Sequence, residues 1–222
     1  MYANALTLPG GEEIRLSGRS RILDSAAINA EEGDGQPQGL FRVWQLDGYG
    51  DLPDFDLTPA AAAAREAFDP LTDDPALSCI PPGLPSAMRN PYPLEFIDQG
   101  ASIALYLEEW DGLRTIYMSS QDGEEESLPA LMGYSVGHWE GTVLVVNTNQ
   151  ISYPYADDLG TPQSTAVTMV EHFILSENDT RLHWTASVTD PETYAGTTFW
   201  EMFWKYTPGE QRKSYNCSLP EE

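Results

Sequence analysis

From Leu94 onward the chain is a succession of short segments in which apolar and polar residues alternate with a period of two, and no amphipathic helix separates them. Residues 94–98, 103–109 and 113–118 are set apart by Gln99-Gly100 and Asp111-Gly112, and 165–175 is joined to 181–189 by Asn178-Asp179. Segments 143–148 and 198–206 follow the same rule, and Pro208-Gly209-Glu210 turns into a last segment at 212–217. Period-two alternation gives a strand one core face, and Gly- or Asn-containing dipeptides between such runs are hairpin turns. With 40–46, where Trp44 alternates with Val43 and Gln45, this makes about eight or nine antiparallel strands with short connections. A meander of that length most often closes into a barrel, which removes its exposed edges.

The remaining residues divide into an N-terminal part, 1–38, and the barrel, 39–222. Residues 4–8 and 12–16 read as a hairpin around Pro9-Gly10-Gly11, followed by a polar linker to residue 38. Thr58-Pro59, five alanines, Arg65 and Glu66 predict one short helix capped by Thr58 with proline at its first position. Residues 69–93 carry so many prolines that they read as an extended strap laid across the surface, as a lid would be. Residues 123–129 read as an acidic loop.

Eleven basic residues against 35 acidic ones give a net charge of -24, which repels nucleic acid and anionic membranes. No window approaches the roughly 18 apolar residues of a transmembrane helix, so membrane insertion is not expected. No leader-type segment precedes residue 23 in the chain as given. Cys79 and Cys217 are too few for a metal site and enough for one bridge. Either they pair, which would stabilise by about 4 kcal/mol and favour an oxidising compartment, or they are two unrelated thiols.

The unusual chemistry is concentrated in residues 132–148, where Tyr134, Ser135, His138, Trp139 and Glu140 precede a β-branched run. Gly133, Gly137 and Gly141 recur every fourth residue there, allowing sharp turns or close approach. On 165–175 the face Val167, Met169, Glu171, Phe173 and Leu175 is apolar except for one carboxylate. Facing inward, Glu171 is either a desolvated acid or base or the partner of an inward arginine such as Arg114. Trp200, Met202 and Trp204 share a face that suits an aromatic pocket or a core, and Met169, Trp139 and Tyr117 complete the candidate ligand-lining residues. His172 and His183 fall on the opposite, outer faces, which predicts solvated side chains. The pair His138 and Glu140 has too few ligand types for a metal centre, and no metal or cofactor is expected. Gly133-Tyr134-Ser135-Val136-Gly137 has the letters of a nucleophile elbow but precedes a strand instead of a helix.

Several pieces, in order, resemble a large group of mostly uncharacterised, typically exported bacterial proteins. They are Leu57-Thr58-Pro59 with its helix, Asp74-Pro75 to Cys79-Ile80-Pro81-Pro82-Gly83-Leu84-Pro85, and Pro91-Tyr92-Pro93-Leu94-Glu95. Arg114 to Met118, Gly133 to Thr148, Glu171-His172-Phe173, Asp190-Pro191 and Tyr215-Asn216-Cys217 complete the set. The resemblance implies a lipocalin-like (calycin-type) barrel, a periplasmic or secreted location and a Cys79–Cys217 bridge. It also implies that residues 1–23 end a separate small β domain. At the positions of His138 and Tyr134 the group often carries arginine and histidine, so this chain departs from its pattern there.

The expected function is a cofactor-independent enzyme acting on a small hydrophobic or aromatic molecule in the barrel, of isomerase, lyase, cyclase or hydrolase type. Glu171 would be its acid or base, with Tyr134 and His138 as proton donors, Arg114 as anchor, and Trp200 and Trp204 packing the substrate. The alternatives are a carrier of such a molecule, favoured by an apolar pocket in which Arg114 neutralises Glu171, and a structural or interaction domain, the one reading that a solid interior would leave. Oligomeric state is not legible.

Overall fold

The computed structural model describes residues 5–7, 13–15, 39–119, 130–176 and 178–219. Strands β1 (Ala5–Thr7) and β2 (Glu13–Arg15) pair antiparallel in their own two-stranded sheet, as the hairpin pattern predicts. The turn between them, the linker to residue 38 and the acidic loop at 123–129 lie outside the described residues.

Nine strands form a closed barrel: β3 (Val43–Tyr49), β4 (Leu94–Asp98), β5 (Ser102–Leu107), β6 (Gly112–Tyr117), β7 (Tyr134–Glu140), β8 (Val143–Asn149), β9 (Thr168–Leu175), β10 (Arg181–Thr189) and β11 (Thr197–Lys205). Neighbours around the wall run β10, β11, β3, β4 and so on to β9, which closes on β10. Every pair is antiparallel except β6 and β7, which run parallel through Ile116 opposite Ser135 and Tyr117 opposite Val136. A parallel neighbour requires the chain to return, between Tyr117 and Tyr134, to the end it started from. The meander therefore has one seam that a hairpin reading does not predict.

The registers divide the barrel into two unlike ends. One carries the short turns at 99–101, 141–142 and 176–180; the other carries 50–93, 108–111, 150–167 and 190–196. Helix α1 (Pro59–Ala67) belongs to this long-loop end, with the Thr58 side chain accepting from Ala61 N at 3.3 Å and Pro59 in the first turn.

The proline-rich strap departs from expectation in two ways. It holds two single 3-10 turns, Pro75–Ser78 and Ser86–Arg89, and its middle is a plug rather than a surface lid. Residues 83–88 are buried, with Leu84, Ala87 and Met88 joined to the barrel core. Burial of Leu84 and of Met88 contributes about 1.5–3 kcal/mol each, which offsets the cost of drawing backbone inside. The backbone is satisfied there: Leu84 N donates to Leu131 O at 3.1 Å, and Gln163 Nε2 donates to Leu84 O at 2.9 Å and Tyr153 O at 2.8 Å. Gly83 is obligatory for this fit, since a Cβ would lie 2.2 Å from Leu131 O.

The expected final strand at 212–217 is an extended tail instead. A closed wall has no free edge for it to join, so it runs down the outside on side-chain anchors. Thr207 Oγ1 donates to Gln45 Oε1 at 2.7 Å, Arg212 reaches Glu95 and lies over the Tyr106 ring, and Lys213 N donates to Glu108 Oε2 at 2.8 Å. The tail ends at the Cys79–Cys217 disulfide, which ties it to the strap across 138 residues.

Burial settles the β11 face that the pattern leaves undecided: Trp200, Met202 and Trp204 point inward at 2% exposure or less, and Phe199, Phe203 and Lys205 point out. Trp44, Trp184, Phe96, Phe173, Leu105, Leu144 and Val146, each at 1% exposure or less, complete the interior. Side chains so completely covered pack at the density of a protein core. These side chains fill most of the barrel through this layer.

Candidate functional site

Alternation along five adjacent strands delivers one inward polar residue from each: Arg114 on β6, Ser135 on β7, Thr148 on β8, Glu171 on β9 and Trp184 on β10. They form one network. Arg114 Nε donates to Ser135 Oγ at 2.9 Å, Nη1 to Glu171 Oε1 at 2.9 Å, and Nη2 to Thr148 Oγ1 at 2.7 Å. A second bond from Nη2 to Glu171 Oε2 makes the ion pair bidentate. Trp184 Nε1 donates to Glu171 Oε1 at 3.0 Å, and the Ser135 and Thr148 hydroxyls lie 3.0 Å apart. Arg114 is 1% exposed and Glu171 0%. The carboxylate accepts three hydrogen bonds, and one guanidinium pairs with its charge. In this arrangement Glu171, through Arg114 and Trp184, links five strands.

The other predicted acid–base residues are not brought to it. Ser135 and Gly137 point inward on β7, so Tyr134 and His138 alternate to the outer face. Tyr134 stacks on Tyr117, centroids 5.3 Å apart, and His138 Nε2 lies 3.1 Å from Glu140 Oε1. Trp139 packs edge-on against Phe41 at 6.4 Å and is 43% exposed. His172 and His183 do lie outside, but they are not simply solvated: His172 is buried, and His183 pairs with Glu201 at 2.7 Å and stacks on Phe203. Met169 and Trp204 are core, with Trp204 against Trp184 at 6.3 Å. Among the described residues no cluster of three or more His, Cys, Asp or Glu side chains is placed to hold a metal ion. Nor is any described helix long and apolar enough to cross a membrane.

Trp200 is different, because it lies where the barrel meets the long loops. Phe55 packs on it at 5.9 Å and on Tyr194 at 5.4 Å. Arg65 from α1 lies 5.7 Å above the Phe55 ring and pairs with Asp157 at 3.5 Å. Trp200 Nε1 and the Tyr194 hydroxyl are both buried without a hydrogen-bond partner among the described residues. Buried donors normally find partners, and leaving one unmatched costs about 1–3 kcal/mol. Burial, with Asp190 and Asp157 nearby, pushes the Tyr194 phenol up, so it stays a neutral donor. An aromatic trio bearing two unmatched donors thus lies at the loop-covered barrel end. A groove of about 390 Å³ also opens along β7, β8 and β9, lined by Tyr134, Val136, Asn147, Asn149, Thr168 and Val170 together with the inward Thr148 and Met169, but none of these is a buried group lacking a partner.

The same end holds a perturbed carboxyl. Burial, and then the Asp158 charge, raises the Glu109 pKa from 4.5 to about 7. A carboxyl that binds its proton more tightly in the folded state than in the unfolded one lowers stability as pH rises between those two values. The cost is complete above the folded value and absent below the unfolded one. Glu109→Gln is therefore expected to be more stable than the parent above pH 7, with the advantage disappearing by about pH 4.5. Urea denaturation of both proteins across that range checks it; a difference independent of pH would contradict it.

No protein-family model matches this chain, and no match was found among the curated proteins or the solved structures.

Proposed function

We propose that the chain is a non-catalytic binding protein for a small aromatic or hydrophobic molecule, held at the long-loop end of the barrel against Trp200. The observation that carries this reading is the contrast between two sets of polar groups. Those around Glu171 are fully matched, as a structural element requires, whereas Trp200 Nε1 and the Tyr194 hydroxyl, like Trp204 Nε1 in the core, are unmatched. Acid–base turnover at Glu171 would need a substrate to displace Arg114 or Trp184 inside the packed core. A periplasmic or secreted location is part of the same proposal. The resemblance to exported bacterial proteins supports it, as does the Cys79–Cys217 bridge, which persists in an oxidising compartment.

Native mass spectrometry of the purified protein tests the reading. The expected spectrum shows a one-to-one adduct of a small molecule that dissociates on unfolding and is lost in Trp200→Phe. A bare chain from every preparation would instead favour a structural or interaction domain.

A further inference from the structure

Arg89 ends the 3-10 turn Ser86–Arg89 of the strap, and among the described side chains it is the one guanidinium with neither a hydrogen bond nor an ion pair. Arg65, Arg114, Arg181 and Arg212 each pair with a carboxylate, and Arg42 donates to Asp179 O at 3.2 Å. In a chain with 35 acidic residues and 11 basic ones, an unpaired arginine is held so by its surroundings. The two nearest acids are engaged elsewhere: Asp157 accepts from Arg65, Leu159 N, Thr161 N and Thr161 Oγ1, and Asp158 accepts from Ser86 Oγ at 3.3 Å.

What Arg89 does touch is aromatic. Its guanidinium lies 5.5 Å from the Tyr49 ring centroid and 5.9 Å from that of Trp200, and its Nη1 is buried without a partner. Burial lowers its pKa, against the opposing charges of Tyr49, Asp158 and Asp157. Arginine nevertheless keeps its proton in proteins, so the unmet demand is for an acceptor and not for deprotonation. Tyr49 is 50% exposed, whereas Trp200 and Tyr194 are 2% and 3% exposed.

We infer that this is an anion subsite, and that the bound molecule carries a carboxylate that accepts from Arg89 beside the Tyr49, Trp200 and Phe55 rings. The inference rests on the reading that the Trp200 end is the binding site, and it adds the chemical class of the ligand. A planar carboxylate suits the guanidinium fork, and a flat apolar body suits the rings. Trp200 Nε1 and the Tyr194 hydroxyl are donors, so all three unmatched groups here ask for an acceptor. Asp157 and Asp158 oppose any anion at this place, so recognition depends on direct bonds to Arg89 and not on long-range attraction.

The probes are benzoate and its neutral analogue benzyl alcohol, titrated into ¹⁵N-labelled protein while following the Trp200 indole N–H, assigned with Trp200→Phe. Benzoate is expected to shift that signal saturably, and benzyl alcohol to bind about tenfold more weakly or worse, the worth of a charged hydrogen bond. Arg89→Gln should abolish the difference between the two probes, and Arg89→Lys should restore part of it. Equal binding of both probes to the parent protein would overturn the carboxylate inference while leaving the site in place. No shift with either probe would overturn both. Should Arg89→Gln fail to fold, the comparison of the two probes on the parent decides.

Discussion

Arg114→Met is expected to destabilise the fold by about 3–5 kcal/mol, because it leaves the Glu171 carboxylate uncompensated in a dry interior. The substitution also strips a partner from Ser135 and Thr148, although those two hydroxyls retain each other at 3.0 Å. Replacing both charges, Arg114→Met with Glu171→Leu, is expected to recover most of the loss, since a buried ion pair and a well-packed apolar pair of similar volume differ little. Recovery should be incomplete, as Trp184 Nε1 then loses its acceptor at a cost of about 1–3 kcal/mol. Urea unfolding of the two variants and the parent measures these values. A single variant within about 1 kcal/mol of the parent would mean that the pair does not tie the five strands together as the geometry requires.

The second large effect belongs to the disulfide. Its 138-residue separation gives about 5 kcal/mol on the chain-entropy relation. For a domain of this size that corresponds to a drop of about 10–20 °C in Tm on reduction or in Cys217→Ser. The structure gives the loss a location as well as a size. The bridge joins the outer tail to the strap whose residues 83–88 plug the long-loop end, so protection of the Leu84 and Met88 amides against hydrogen exchange should fall before that of β9 and β10. Thermal scans with and without reductant check the size, and native-state exchange checks the order of opening. Uniform loss of protection across the barrel would show that the bridge acts on the unfolded chain alone.

Much of this architecture is legible in the sequence because strands announce themselves by alternation. Leu94–Asp98 and Arg181–Thr189 have the bounds their patterns give, and the capped helix after Thr58 is where its letters place it. Glu171 stands out as a lone charge on an apolar face, and Arg114 is legible as a candidate partner. Ser135, Thr148 and Trp184 are not, since a hydroxyl or an indole on a strand looks the same whether it bonds a buried charge or faces a neighbour. The parallel seam leaves no trace in local pattern, because it depends on where the chain re-enters the wall. The tail defeats the pattern because 212–217 has strand-like alternation, and only barrel closure removes the edge it would have joined. Among the strap's prolines, the apolar trio Leu84, Ala87 and Met88 is the one local sign of a plug, and Arg89 directly after it is a cation carried in by that plug.

The central claim is that the buried ion pair builds the barrel and the ligand is held elsewhere, and one comparison by native mass spectrometry tests it most directly. The charge-free variant, Arg114→Met with Glu171→Leu, is predicted to retain the small-molecule adduct of the parent protein, and Trp200→Phe is predicted to lose it. An adduct that disappears from the charge-free variant while Trp200→Phe keeps it would put the ligand at Glu171 and contradict the account.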